Sequence, residues 1–423
     1  MLALLAGTAQ AQSPGINPED AVQPLSIVEG AGIKVGEGTV LHPTIGVEAG
    51  VVSTVFFDDQ NATTAGLMRI LGEIGTGSLS QQRLARIEKD DSNLPLQDSG
   101  AFQYRADLRL SYDYYPSTNE NVSNQGGLGA GLIFRGIVHP NRPIQFAVVE
   151  NFGREIRPTN FESPVSTNRD INDLKLQLQW APTGRNLSGV LHYENRIDVF
   201  ERSRQQFANR FQNTFGVRVN YQWLPQTRLY GDVSEGIYTG LGADSTKVTS
   251  YPLTAVAGIQ TLITPRITAV SRVGYTNGFY SSGPSFSALV FGAQLGYRYT
   301  ELGRVTAIYN YVHNDSINAN FYRDHQFGVN LEHGFAPFLV LAGAEVMLRH
   351  YEGVIVGGPT TRDDVLGSVR AEVRYMFRNW LAASVNYQFS VDSTNYMYDA
   401  GGGIMDDPSF QRHELLGGLR AAY

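Results

Sequence analysis

The sequence contains no cysteine. That absence excludes a disulfide framework, a thiolate metal site and a cysteine nucleophile. Lysine is scarce and no basic stretch appears, and the net charge is -7, so nothing suggests a nucleic-acid partner. No segment reaches the roughly 18 consecutive apolar residues that a transmembrane helix needs. A membrane role would therefore have to come from strands.

Motifs for catalysis are also missing. The chain has no Gly-x-Ser-x-Gly elbow, no His-Glu-x-x-His and no phosphate loop, and its eight histidines are scattered. His192-Tyr193-Glu194 puts a histidine and a carboxylate on one strand face, which is more typical of a polar wall than of a catalytic dyad. The acidic pairs Asp58-Asp59 and Asp406-Asp407 could bind Ca²⁺, although solvated acidic loops are the commoner explanation. We predict no enzyme, no cofactor and no resident metal.

The chain is instead rich in aromatic residues and glycine. It has 22 Tyr, 21 Phe and 45 Gly, yet its mean hydropathy is slightly polar at -0.20. Strands of membrane barrels use aromatics on their lipid-facing side, and glycine serves tight turns and close backbone approaches. This composition argues against an ordinary soluble globule.

Period-two alternation begins near residue 40 and continues to the end of the chain. In residues 102–114, 173–180, 365–377 and 381–391, apolar and aromatic side chains occupy one parity and polar or charged ones the other. Residues 414–423 repeat the pattern and end on Tyr423. Alternation of this strength predicts strands with two different faces. Such strands fit a closed barrel that has lipid outside and water inside.

The connections alternate between short turns and longer polar loops, as in barrels with short periplasmic turns and long extracellular loops. A first count gives 17 strands, whereas single-chain bacterial barrels normally have an even number. Weak alternation in residues 65–77 supplies the missing strand. The prediction is therefore an all-β, transmembrane, antiparallel up-and-down barrel of about 18 strands, whose last strand pairs with the first, near residues 40–52. Residues 80–99 would form a long periplasmic connection with a short helix at 81–89.

Three regions follow from this pattern. Residues 1–11 resemble the end of a secretory signal, with Ala9-Gln10-Ala11 as the cleavage site. Residues 12–38 are polar and rich in glycine and proline, and we expect a periplasmic segment that could plug the pore. Residues 39–423 form the barrel. An even strand number puts both termini in the periplasm of an integral outer-membrane protein.

The inner face of such a barrel would carry charges of both signs. Barrels of 16–18 strands leave an aqueous channel, and its lining could select charged solutes. A salt-bridge mesh without a particular substrate is the alternative for each residue. Inward residues are slightly more basic than acidic, which predicts a weak anion preference. The candidate pore-lining residues are Arg105, Asp107, Arg109, Lys175, Glu194, Arg196, Arg218, Arg298, Arg370, Glu372, Arg374 and Arg420.

The opening of the barrel region resembles a known family. Residues 32–50, followed by Phe56-Phe57-Asp58-Asp59, resemble the β-barrel porin 2 group of Gram-negative outer-membrane proteins. The resemblance implies a barrel over residues 40–423, and for some members a link to exopolysaccharide export. Tyr423 is similar to the C-terminal aromatic residue by which the barrel-assembly machinery recognises its clients. No catalytic residue is implied.

Passive diffusion of small hydrophilic solutes through a porin-like channel is the predicted function. Two alternatives stay open: an export pore for a secreted polysaccharide with a periplasmic partner, and a structural or adhesive barrel with a plugged lumen. The apolar loop segment 354–358 could fold into the pore or contact a partner, although a buried loop anchor is the simpler interpretation. The expected surroundings are outer-membrane lipid and lipopolysaccharide, with a homo-oligomer left open.

Overall fold

The structure, a computed structural model, describes most of the region from residue 32 onward. Three predictions lie outside it: the signal remnant at 1–11, most of the segment 12–38, and the connection 80–99. None of the helices in this part of the chain is long and apolar enough to cross a membrane. The described residues are 32–36, 39–60, 62–78, 101–140, 142–156, 168–201, 203–242, 245–316, 319–354, 359–399 and 405–423.

Eighteen antiparallel strands close into one barrel, as the alternation predicts. A short extra strand, β1, pairs beside the start of β2, and β19 and β20 form a separate two-stranded ribbon. The strands are β1 (Ile33–Gly36), β2 (Thr39–Val52), β3 (Ala65–Gly77), β4 (Phe102–Tyr114), β5 (Gly127–Val138), β6 (Ile144–Glu155), β7 (Arg169–Trp180), β8 (Leu187–Phe200), β9 (Arg210–Leu224), β10 (Thr227–Gly240), β11 (Leu253–Thr264), β12 (Ile267–Asn277), β13 (Ser287–Thr300), β14 (Gly303–Asp315), β15 (Phe321–Phe335), β16 (Phe338–Glu352), β17 (Thr361–Arg378), β18 (Leu381–Thr394), β19 (Tyr398–Asp399), β20 (Met405–Asp406) and β21 (Phe410–Ala422).

The barrel closes between its first and last long strands. β2 pairs with β3 on one side and with β21 on the other, from Thr44 opposite Ala422 to Val52 opposite Glu414. At the end of this seam the Tyr423 amide donates to the Pro43 carbonyl over 3.0 Å. The weakly alternating residues 65–77 form β3, so the strand inferred from the turn rhythm is confirmed.

The two rims of the barrel differ in their connections. At one rim, called here the short-turn rim, two-residue turns such as 225–226, 301–302 and 379–380 join successive strands. At the other, the long-loop rim, the connections are longer, as in residues 115–126 and 241–252. Because the number of barrel strands is even, β2 starts and β21 ends at the same, short-turn rim.

Each long strand presents one face to the outside and one to the interior. In β4, Leu108 and Leu110 are exposed, whereas Arg105, Asp107 and Arg109 are buried. The exposed parity is apolar and aromatic, which suits lipid; the buried parity is polar, which suits an aqueous interior. Outward aromatics gather at the short-turn rim, as in the girdles of membrane barrels. They include Trp180, Trp223, Tyr297, Tyr375, Phe377, Trp380 and Tyr423.

Two short helical turns lie at the long-loop rim. The helix Glu120–Ser123 begins after Asn119, whose side chain accepts from the Asn121 amide and so caps the first turn. A 3₁₀-helix covers Ser203–Ala208. Val354 packs on a buried cluster with Ala319, Tyr322 and Tyr351. The rest of the predicted loop anchor, at 355–358, is outside the described residues.

Candidate functional site: the charged inner face

Charged side chains cover the inner face of the barrel. All twelve candidates from the sequence lie on this parity, opposite the exposed apolar residues of the same strands. Some form ion pairs with an adjacent strand, namely Arg109, Arg196, Arg218 and Arg420, and others pair within one strand, namely Arg105 with Asp107 and Arg374 with Glu372. Lys175 and Glu194 stand directly opposite each other on β7 and β8. Arg370 donates to Asn330.

An ionic network spans the closure of the barrel. Glu48 on β2 lies between Arg420 of β21 at 2.9 Å and Arg69 of β3 at 3.5 Å. Arg69 also contacts Asp113 at 2.7 Å and Glu414 at 3.3 Å. Arg412 in turn lies 3.4 Å from Glu414. We call this the seam network; its members are Glu48, Arg69, Asp113, Glu372, Arg374, Arg412, Glu414 and Arg420.

The seam network continues to β17. Arg420 reaches Glu372 at 3.4 Å, and Glu372 is bound by Arg374 at 2.5 Å. The Glu48 side chain is only 3% exposed, and the Arg420 side chain 4%. Because each buried charge has an opposite partner, the network is neutralised internally. It joins the beginning and end of the chain across a strand pair that no local turn connects.

Shorter ion pairs follow on the neighbouring strands. Arg105 and Asp107, two residues apart on β4, approach to 2.5 Å, and Arg109 lies 3.6 Å from Glu73 on β3. Residues two apart on a strand share a face, so such pairs need no partner strand. The predicted trio of residues 105, 107 and 109 is thus largely paired.

A second network occupies β7 to β9. Asp198 is contacted by Arg169 and, at 3.0 Å, by Arg210. Arg196 forms a separate pair with Asp173 at 3.2 Å. The guanidinium of Arg169 also lies over the Phe200 ring at 5.1 Å, a cation–π geometry. Of these residues only Arg196 is among the twelve candidates.

His192 pairs with Asp232 and not with Glu194, which is near it in the sequence. Its Nε2 lies 3.1 Å from Asp232 on β10, and Arg218 donates to the same Asp232 oxygen over 3.0 Å. Glu194 shares the inner face but not this contact. The sequence offers no signal for Asp232, because the pairing crosses from β8 to β10.

Strands β9 to β14 form a basic sector of the inner face. Apart from Arg210, their inward arginines are Arg218, Arg228, Arg272, Arg298 and Arg304, and their inward carboxylate is Asp232. Arg298 and Arg304 stand directly opposite each other on β13 and β14, with Glu332 opposite Arg304 on β15. Like charges placed this way repel. The basic sector therefore keeps an excess of positive charge.

Glycines leave space for these long side chains along the wall. A Cβ at Gly292 would come within 2.9 Å of the Arg272 Nε, and one at Gly258 within 2.4 Å of the Tyr230 ring. The Arg218 guanidinium lies over that ring at 5.3 Å. Cationic and aromatic side chains therefore lie flat on the inner face here.

A buried cluster lies on the inner face near the long-loop rim. Arg349 donates to both oxygens of Asp324, at 2.8 and 2.9 Å, and stacks over Tyr322 at 3.9 Å. Arg362 contacts Asp364 at 2.6 Å and Asp392 at 3.5 Å. These residues fall outside the twelve candidates. Alternation places them inward, but it does not distinguish them from other polar residues near strand ends.

The loops above β10 to β15 share another polar centre. Asp315 accepts from Tyr280 at 2.6 Å and Ser250 at 2.9 Å, and Lys247 lies 3.4 Å away. Burial, reinforced by the charge of Asp315, raises the pKa of Tyr280 well above its ordinary value. The phenol therefore stays neutral and donates to Asp315, so these contacts join two loops to the end of β14.

The charged inner face holds no grouping suited to a metal within the residues that the structure describes: no three His, Asp or Glu side chains converge there. At the proposed calcium loop, Asp58 accepts from the backbone amide of Gln60 over 2.9 Å. That contact is an ordinary Asx turn.

No protein-family model and no curated protein sequence matches the chain. Solved structures with a similar course include OccK1 (OpdK) of Pseudomonas aeruginosa, at 8% identity and a TM-score of 0.46, covering 92% of this chain and 99% of that one. OccAB4 of Acinetobacter baumannii gives 10% identity and 0.45, over 90% and 98%. The siderophore receptor PirA of P. aeruginosa gives 7% and 0.40, over 90% and 80%.

Proposed function

We propose that this protein is an outer-membrane channel through which small hydrophilic solutes diffuse passively. The observation that carries the proposal is the closed barrel of 18 strands with an apolar outside and a charged inside. An apolar outer surface this extensive is stable only against lipid. Barrels of this size are too wide for side chains to fill and leave a water-filled passage.

The orientation of the protein in the membrane follows from this type of barrel. Short turns face the periplasm in outer-membrane barrels and long loops face outward, so both ends of the barrel region would lie in the periplasm. Membership of the β-barrel porin 2 group is part of this proposal, supported by the resemblance of residues 32–50. Recognition by the barrel-assembly machinery through Tyr423 is also part of it; the Tyr423 side chain is exposed at the short-turn rim.

Small anions are the solutes that the lumen would favour. The seam network neutralises its own charges, so it adds little net potential. The basic sector, on β9 to β14, has more inward arginines than carboxylates. Fixed positive charge in a narrow aqueous passage raises the local concentration of anions. The expected preference is weak, because ion pairs line the rest of the wall.

Single-channel recording in planar bilayers tests this function. The full chain, and a variant without residues 12–38, should both be measured, since the N-terminal segment could occupy the lumen. We expect a steady conductance and, across a salt gradient, a reversal potential on the anion side. Larger conductance in the shortened variant would identify the segment as a plug.

Two results would contradict the proposal in different ways. No conductance from either form, with folding verified by heat-modifiable migration, would remove the channel and leave a structural or adhesive barrel. A conducting but cation-selective barrel would keep the channel and remove the proposed role of the basic sector. Neither alternative function has a specific contact in its favour.

A further inference from the structure

Two arginines and three aspartates are buried together on the inner face at the long-loop rim. Arg349 and Arg362 are 3% and 5% exposed, and Asp324, Asp364 and Asp392 are 0%, 2% and 2% exposed. They lie on the neighbouring strands β15 to β18. We call these five residues the rim cluster. If all five were ionised, the rim cluster would carry one more negative charge than positive.

Two of the three aspartates are bound closely by the two arginines. Asp324 accepts from Arg349 through both of its oxygens, at 2.8 and 2.9 Å. Asp364 accepts from the Nε of Arg362 over 2.8 Å and lies 2.6 Å from its Nη2. Contacts of this kind stabilise the ionised form of a carboxyl group. Asp324 and Asp364 therefore carry their charges in the folded protein.

Asp392 has no comparable partner. Both of its side-chain oxygens are buried, and neither accepts a hydrogen bond from the residues that the structure describes. One oxygen lies 3.5 Å from the Nη2 of Arg362, which is 2.6 Å from Asp364. A carboxylate buried without hydrogen bonds is unfavourable, because it has lost the water that would bind both oxygens. The ionised form of Asp392 is therefore poorly accommodated.

The acidic groups around Asp392 also oppose a negative charge there. On β17, Leu366 lies directly opposite Asp392, so Asp364 is its diagonal neighbour on the same face. Asp407, in the connection between β18 and β21, adds to the negative field at Asp392. Its Oδ1 accepts from the backbone amide of Ser409 over 2.8 Å. Two carboxylates therefore face this one from two different elements.

The basic groups on the other neighbouring strands are directed elsewhere. On β21, the apolar ring of Phe410 stands opposite Asp392. The next inward residue of that strand, Arg412, donates to the backbone carbonyls of residues 54–55, at 3.5 and 3.3 Å. Arg349 on β16 is bound by its own aspartate. Neither strand therefore supplies Asp392 with a donor.

A proton or a metal cation could satisfy such a carboxyl group. A metal is not favoured, because among the described residues no three His, Asp or Glu side chains are grouped to hold one. Arg349 and Arg362 also bring positive charge to the same place. A proton needs one oxygen and no further space. It turns Asp392 into a hydrogen-bond donor and balances the charges of the rim cluster.

The connection between β18 and β21 is attached to the barrel at this point. Its Tyr396 is 5% exposed, with the Arg362 guanidinium 5.8 Å from the ring. At its base, the Thr394 backbone amide donates to the Ser409 Oγ over 3.3 Å, which joins the two ends of the connection. Asp392 lies two residues before Thr394. The charge of Asp392 therefore acts where the connection leaves the wall.

We propose that Asp392 holds a proton at neutral pH and that this proton fastens the connection between β18 and β21 to the rim of the barrel. Burial and neighbouring carboxylates both favour the uncharged form of a carboxyl group. In that form Asp392 leaves Arg362 to Asp364 and does not repel Asp407. Loss of the proton would set two aspartates in competition for one guanidinium, and the base of the connection would loosen.

Matched substitutions distinguish a protonated aspartate from an ionised one. Asparagine resembles a protonated aspartate, since it is uncharged, of the same size and a hydrogen-bond donor. Asp392→Asn should therefore keep the urea midpoint of the native protein at pH 7. Asp324→Asn is the control in the same cluster and should lower that midpoint clearly, because it leaves the buried Arg349 without its carboxylate. Heat-modifiable migration verifies that each barrel is folded.

Infrared spectroscopy observes the proton on the native chain. The carbonyl stretch of a protonated carboxyl group is separate from the bands of a carboxylate. The difference between the native and Asp392→Asn spectra at pH 7 should contain one protonated-acid band, and this band should disappear as the pH is raised. Over the same pH interval, backbone hydrogen exchange at residues 393–399 should become faster in the native protein than in Asp392→Asn.

Three outcomes would overturn this proposal. No protonated-acid band, with Asp392→Asn as destabilising as Asp324→Asn, would mean that Asp392 is ionised and bound by buried water. A native urea midpoint that rises with added Ca²⁺, without a rise in Asp392→Asn, would assign a metal ion to the site. Equal hydrogen exchange in the two proteins would remove the role of the proton in fastening the connection. None of these results bears on conductance, which tests the proposed channel separately.

Discussion

Two regions of the inner wall are built from the same residue types, but their charges are arranged in opposite ways. In the seam network, every arginine has a carboxylate at 3.5 Å or less. In the basic sector, arginines follow one another on β9 to β14, and Arg298 stands opposite Arg304. The first region balances its charges across the strands, whereas the second carries more inward arginines than carboxylates. We therefore expect changes in the first region to affect stability most and changes in the second to affect selectivity most.

The position of each region on the barrel accounts for the difference. Adjacent strands elsewhere are joined by turns, whereas β2 and β21 are brought together from the two ends of the barrel region. Their pairing closes the longest loop in the chain and has the largest entropic cost. Ion pairs across this strand pair add enthalpy where no turn assists. The strands of the basic sector are consecutive hairpins and do not need that support.

Breaking the seam network should have the largest effect on stability. Glu48→Ala removes the carboxylate between Arg69 and Arg420 and leaves the buried Arg420 and the half-buried Arg69 with one partner fewer. We expect the free energy of unfolding to fall by about 3 kcal/mol. Urea unfolding of the purified barrel, followed by tryptophan fluorescence, measures the loss.

A charge-neutral variant provides the control for that experiment. Glu48→Gln/Arg420→Gln removes one charge of each sign and keeps side chains of similar length. It should be less damaging than Glu48→Ala, and the reversal potential should stay unchanged. A Glu48→Ala protein as stable as the native one would show that the seam network has no structural role.

Asp232 is the inward carboxylate of the basic sector, and it forms ion pairs like those of the seam network. Asp232→Asn removes the charge that pairs with Arg218 and His192. We expect a loss of about 2 kcal/mol, as for a hydrogen bond to a charged group, and a stronger anion preference. Urea unfolding and reversal potentials should change together. A shift toward cations would contradict the assigned role of Arg218.

Removing a cation from the basic sector should have the opposite effect on selectivity and a smaller effect on stability. Arg272→Gln removes the charge and shortens the side chain, so the hydrogen bond that Arg272 donates to Asn310 over 3.3 Å is lost. We expect a loss of about 1 kcal/mol or less and a reversal potential that moves toward cations. An unchanged potential would show that the lumen potential does not depend on this sector.

The strands and their faces were predictable from the sequence because period two is a local property. The alternation in β4 gave both the buried Arg105 and the exposed Leu108, and the rhythm of turns gave β3. The prediction required an even number of strands, and the closed barrel of 18 strands confirms it. Residues 12–38 as a plug stay a prediction, since most of that segment is outside the described residues.

The contacts within the wall were not predictable in the same way. Glu48 and Arg420 are 372 positions apart, and their meeting depends on closure and on the stagger of every strand between them. His192 was paired in sequence with Glu194, but in space it contacts Asp232. Some exceptions to the pattern do carry a local signal, since Glu150 on β6 and Glu235 on β10 each interrupt an outward apolar run.

The smallest expected effect lies at the long-loop rim, where solvent weakens ion pairs. Arg154 donates to Glu201 over 2.6 Å, and this hydrogen bond lowers the pKa of Glu201 below its ordinary value. A carboxylate with a lowered pKa in the folded protein contributes stability above its unfolded pKa of about 4.3 and loses it as the pH falls further. Glu201→Gln should therefore lower the urea midpoint slightly at pH 7, by a few tenths of a kcal/mol. The difference in urea midpoint between the native protein and Glu201→Gln should shrink toward zero below about pH 4. At pH 7, Arg154→Gln should lower the urea midpoint by the same amount as Glu201→Gln. A difference that grows on acidification would mean that the pair does not act through the charge of Glu201.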